Sequence, residues 1–149
     1  MTFKQRVYMQ FGELVAQKVA NLKKQLSELQ ESTAGETKST AGDKYETARA
    51  MLQIEQDNVR RQLQEALEMQ SQHKSTNIDS DNAVIRNGSL VKTNRGWFYI
   101  SVALGKTSVD DIVVIAISPK SPLGLRLLGL KSGDDVKVND INYTIEKNW

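Results

Sequence analysis

An α+β protein is predicted: an amino-terminal antiparallel helical hairpin of coiled-coil type, followed by a small antiparallel β domain with one short helix. Three observations predict it. From Lys4 to Lys74 there is no proline, and Gln, Glu, Lys, Ala and Leu dominate, which is the composition of long helices. From Asn77 onward Val, Ile, Gly and Asp take over, and both prolines and both tryptophans fall in this part. Between the two lies the polar, turn-prone stretch 75–82. The chain is therefore divided into a hairpin at 1–74, a linker at 75–82 and a β domain at 83–149.

The first helix is predicted from about Lys4 to Glu31. Tyr8, Phe11, Val15, Val19, Leu22, Leu26 and Leu29 recur every three or four residues and form one stripe. Tyr8, Val15, Leu22 and Leu29 are seven apart, as in a coiled-coil seam. Two glycines and a cluster of Ser and Thr over 32–42 predict a loop. A second helix is expected from Asp43 to about Gln72. Tyr45, Leu52, Val59 and Ala66 repeat every seven, beside a row that includes Glu55 and Gln62. Two helices of near-equal length joined by a loop pair most simply as an antiparallel hairpin, with the tip loop at about 32–43.

The second part reads as short strands. Ser89–Thr93 alternates, Asn94-Arg95-Gly96 turns, and Trp97–Leu104 is rich in aromatic and β-branched residues. The continuous apolar run Ile112–Ile117 reads as a buried strand. Pro122 opens a short helix through Leu130, as suits proline in a first turn. Turns at Gly133-Asp134 and Asn139-Asp140 frame two final strands.

Composition also excludes whole classes. The 149 residues carry a net charge of +2 with no block of one sign, too little to argue for nucleic acid by bulk electrostatics. No apolar run approaches the length of about 18 residues that a spanning helix needs. The first residues lack the basic-then-apolar order of a signal peptide. A cytoplasmic monomer without membrane contact is the expectation. Cysteine is absent, so there is no disulfide, thiolate metal site or thiol nucleophile. The one histidine, His73, makes a multi-histidine metal site or a histidine triad unpromising. At the end of the second helix its protonated ring would suit the helix dipole, and no chemistry is assigned to it.

Two motifs carry chemistry. Gly42-Asp43-Lys44-Tyr45-Glu46-Thr47-Ala48 is similar to the hairpin-tip motif of the Gre transcript-cleavage factors, with Thr47 where that family has asparagine. The run from Ser121-Pro122-Leu123 to Gly133-Asp134-Asp135-Val136-Lys137-Val138 resembles the family's carboxy-terminal signature without a gap. The resemblance spans the whole chain. It implies an FKBP-like fold for the second domain and a hairpin inserted into the secondary channel of bacterial RNA polymerase. It further implies that Asp43 and Glu46 assist the polymerase's active site by sharing its second Mg²⁺, which promotes cleavage of backtracked RNA. On this reading the chain binds no cofactor alone and is not itself an enzyme. The transcript is met only within the complex, and Ser121, Pro122 and Leu123 would contact the polymerase rim.

Other readings of the same residues stand beside these. Asp43 and Glu46 also have the spacing of a helix capping box, and Ser121-Pro122 that of a capped helix start. A Gre-like protein could occupy the channel without promoting cleavage, or the helices could serve a self-associating coiled-coil adaptor. Trp97-Phe98-Tyr99 reads as core rather than a base-stacking platform, and Trp149 has no account from sequence.

Overall fold

The structure, a computed structural model, describes residues 1–36 and 43–149, with the side chains of 33–36 and 43–45 outside that description. Its elements are α1 (Phe3–Glu36), α2 (Asp43–Lys74), β1 (Leu90–Thr93), β2 (Gly96–Ile100), β3 (Gly105–Val109), β4 (Ile112–Ile117), α3 (Pro122–Leu127), β5 (Asp135–Val138) and β6 (Ile141–Asn148). The fold class is the expected one: a helical hairpin followed by a sheet with one short helix.

Helix α1 runs five residues past Glu31, into the stretch predicted as loop. Once a helix exists, each added residue gains a hydrogen bond, and only Gly35 carries a propensity cost near 1 kcal/mol. The remainder of the expected tip loop, 37–42, lies outside the described residues. At 1.5 Å per residue, α1 is about 51 Å long and α2 about 48 Å.

The described residues form two compact units, one of Val15–Glu68 and one of Met1–Leu14 with Met69–Trp149. Composition changes near residue 75, but packing groups both outer helix ends with the sheet. In the first unit Val19 and Leu22 of α1 pack with Val59 and Ala66 of α2, flanked by Leu26, Leu29 and Leu63. The row beside Val59 differs from the expected one. Glu55 and Gln62 face solvent, and Gln56 is buried instead, where its Nε2 donates to the Leu29 carbonyl at 3.2 Å. A buried amide needs such a partner.

The sheet of the second unit has the order β3-β4-β2-β1-β6-β5. It is mixed rather than wholly antiparallel, because β2 and β4 pair in parallel from Trp97↔Val114 to Ile100↔Ile117. The chain leaves β2, reverses into β3 beyond a vacant lane, and turns back through Asp110-Asp111 so that β4 fills it. Asp110 (φ 51°) and Asp111 (φ 64°) make this two-residue turn, and Asn139 (φ 52°) and Asp140 (φ 64°) make the matching one between β5 and β6. Strand β3 was not legible: it is an edge strand reading Gly-Lys-Thr-Ser-Val, and only Val109 is buried.

Strand alternation separates two cores. Leu90, Tyr99, Val114 and Ala116 face Val7 and Phe11 of α1. Val91, Ile100 and Ile145 face the other way, toward Ile85, Leu127 of α3 and Val136. Helix α3 ends at Leu127, three residues earlier than expected, because Leu128 takes an extended ψ of 129° and Gly129 follows at φ 85°. Gly124 has no alternative: a β-carbon there would collide with the Ser118 carbonyl.

His73 departs from the expectation of a protonated helix end. It is 2% exposed, stacked on Tyr8 with centroids 4.4 Å apart and edge-on to Tyr99 at 6.2 Å. Its Nε2–H donates to the Tyr8 carbonyl at 3.0 Å, while Nδ1 is buried with no partner among the described residues. Burial holds its pKa below the ordinary 6.5, outweighing the opposing bond to Tyr8. The ring is therefore neutral, and a proton on Nδ1 would be an unmet donor. Its contribution to stability is complete above pH 6.5 and is lost as pH falls from there toward the lower folded value. The unfolding free energy should decline below pH 6.5 with a slope of at most about 1.4 kcal/mol per pH unit from this residue. Urea titrations of wild type and His73→Gln across pH 7 to pH 5 read it as the part of the decline that the variant lacks.

Candidate functional site at the hairpin and the short helix

The sequence motifs fall on two separate elements, each described within its own unit. Asp43 opens α2, and its side chain lies outside the described residues. Glu46 stands in the first turn and is exposed. At 3.6 residues per turn it lies on the far side of α2 from Val59 and Ala66, the residues that meet α1. It lines a shallow surface with Arg49, Ala50 and Gln53, the i, i+3, i+4, i+7 positions of one helix face. Arg49 is thus one turn from Glu46, a neighbour that the tip motif alone did not bring out. Met51 and Ile54, 66% and 61% exposed, are apolar side chains outside the hairpin seam.

Carboxylates are hard oxygen donors suited to Mg²⁺, which commonly takes only one or two from protein and keeps several waters. Among the described residues no group of three or more His, Asp or Glu gathers to hold an ion. Of the two carboxylates in the tip motif, Glu46 is the one whose side chain is described.

The second motif begins α3. Ser121 is its N-cap: the Gly124 amide donates to Ser121 Oγ at 3.0 Å, and Oγ donates to the Ser118 carbonyl at 2.7 Å. Pro122 occupies the first turn, where its missing N–H costs nothing. Leu123 is half-buried against the Ile85–Leu127 core. The leucines that α3 and its cap present to solvent are Leu125, 59% exposed, and Leu128, 36% exposed. Spacing did not reveal this, because a six-residue helix offers too few turns to fix its buried face.

No family model matches the chain, and no curated protein matches it in sequence. Among solved structures it is similar to GreA factor homolog 1 (Gfh1) of Thermus thermophilus, with 16% identity over 93% of this chain and 94% of that one and a TM-score of 0.35. It is also similar to a structure of the transcription factor Gfh1, with 18% identity over 92% of each chain and a TM-score of 0.39.

Proposed function

We propose that this chain is a Gre-type factor that binds bacterial RNA polymerase and brings Asp43 and Glu46 to the polymerase's active centre, stimulating cleavage of backtracked RNA. The observation that carries the reading is Glu46, an exposed carboxylate in the first turn of α2, three residues after the aspartate that opens this arm of the hairpin. Residues so spaced on a helix have β-carbons about 5–6 Å apart, close enough for two carboxylates to reach one ion. Bound there, Mg²⁺ supplies charge stabilisation at the phosphoryl oxygens and a more acidic water. The chain's part would be to offer two oxygen ligands from the first turn of α2. The nuclease activity remains the polymerase's, and the factor acts with it in the cytoplasm.

Ser121, Pro122 and the exposed Leu125 form the face proposed to meet the polymerase rim. Binding is tested by co-elution of the chain with bacterial RNA polymerase in size-exclusion chromatography. Leu125→Asp should weaken binding about tenfold or more, the scale of a buried apolar anchor, and leave thermal unfolding unchanged. Co-elution unaffected by Leu125→Asp would remove α3 from the interface.

Arg49 favours a second reading, that of a channel binder without cleavage. A guanidinium one turn from Glu46 can pair with that carboxylate and compete with the ion for it.

A further inference from the structure

Within the sheet unit, the first turns of α1 and the segment 78–81 border a cleft of about 660 Å³ that the hairpin motifs do not use. Small-molecule sites typically measure about 300–1,000 Å³ and combine apolar walls with a few convergent polar groups. Phe3, Trp97, Ile112 and Trp149 supply the apolar lining. Trp149 stacks on Trp97 with centroids 5.3 Å apart and planes 10° from parallel, and Phe3 meets Trp97 edge-on at 5.2 Å. The carboxy-terminal tryptophan that sequence left unexplained is a wall of this cleft.

The charged lining is unbalanced. It holds two cations, Lys4 and Arg6, and three carboxylates, Asp79, Asp81 and Asp110. Arg6 is engaged by Asp110 at 2.6 Å. Lys4 is 7% exposed, donates to the Ser80 carbonyl at 3.3 Å, and lies in the field of both Asp81 and Asp79. Burial draws the Lys4 pKa down, against the opposing pull of Asp81 and Asp79. Among the charged groups that line the cleft, carboxylates outnumber cations by one; Lys92 and Lys147 are not part of that lining, although their ammonium groups stand 5.7 Å from the Trp97 ring and 5.0 Å from the Trp149 ring. An anionic ligand would meet this surplus. An extended peptide would find no free ladder, since Leu90, Trp97 and Ile112 belong to the interior strands β1, β2 and β4.

We propose that this cleft binds a small organic cation with an aromatic or branched apolar body, its ammonium drawn by Asp79 and Asp81 and its body against Trp97, Trp149 and Ile112. The site is independent of the polymerase reading.

The chain has two tryptophans and both line the cleft, so their fluorescence reports its occupancy directly. Phenethylamine, phenethyl alcohol and hydrocinnamate share one apolar body and differ in charge. The amine should change the emission saturably, with half-saturation about two- to fivefold below that of the alcohol, the scale of one partly exposed ion pair, and hydrocinnamate should bind weakest. Asp79→Asn/Asp81→Asn alters two exposed residues and should abolish the amine's advantage while leaving the alcohol's half-saturation unchanged, with far-UV circular dichroism confirming the fold. Equal half-saturation for all three probes, tightest binding of hydrocinnamate, or no saturable change with any of them would overturn the proposal. So would an amine advantage that survives the double substitution.

Discussion

Replacing Phe11 by alanine should lower the unfolding free energy by about 3–5 kcal/mol, the range for a buried aromatic whose cavity cannot collapse. Phe11 is fully buried and stacks on Tyr99 at 5.7 Å. Val7, Leu90, Val114 and Ala116 complete the cluster around it. Most of these neighbours are held by strand ladders, so they cannot move into the space the ring leaves. Urea unfolding followed through Trp97 and Trp149 measures the change in the unit that contains all of them. Phe3→Ala should cost less than half as much, because Phe3 is only partly buried. A loss below about 1 kcal/mol at Phe11 would mean that the start of α1 does not close this core.

Asp43→Ala/Glu46→Ala should reduce stimulated RNA cleavage by at least about a hundredfold. Removing even the groups that orient metal ligands costs 10–100-fold, and these two would be ligands themselves. Each single variant should recover part of its activity as Mg²⁺ is raised, because the remaining carboxylate still favours the ion. The double variant should not recover. Affinity for polymerase should stay within about twofold, since exposed charges contribute little to holding two proteins together. Thermal unfolding separates this outcome from loss of a helix cap, which would cost about 1 kcal/mol and leave cleavage intact.

The sequence signals that proved readable were those written in long or local patterns. The α1 stripe from Phe11 to Leu22 needs only spacing, and each of its four residues is buried. The Asn139-Asp140 turn and the Pro122 helix start need only neighbours, and both are present. What escaped depends on partners distant in sequence. The parallel pairing of β2 and β4 follows from the lane that β3 takes, and β3 itself shows no apolar alternation because its side chains mostly face water. Gln56 could enter the hairpin seam because a backbone carbonyl at Leu29 stood ready to accept from it.

The candidate site divides the same way. Asp43 and Glu46 can be proposed from sequence because a tip motif is seven consecutive residues. The cleft is not, because Lys4, Asp79, Trp97 and Trp149 come from four segments. One signal was nonetheless present: Lys4 continues the row of Tyr8, Phe11 and Val15, and a lysine on an apolar stripe marks a place where a charge is buried for a reason. His73 gave no such signal. Its ring is packed by Tyr8 and Tyr99, neither of which is near it in sequence.

The central claim is tested most directly by RNA cleavage in stalled, backtracked elongation complexes of a bacterial RNA polymerase, with binding of the wild-type chain measured in the same samples. Mg²⁺-dependent shortening of the transcript that tracks occupancy of the polymerase is the predicted result. Full occupancy with no acceleration of cleavage would contradict it, leaving Asp43 and Glu46 as a helix start and the chain as a binder without cleavage.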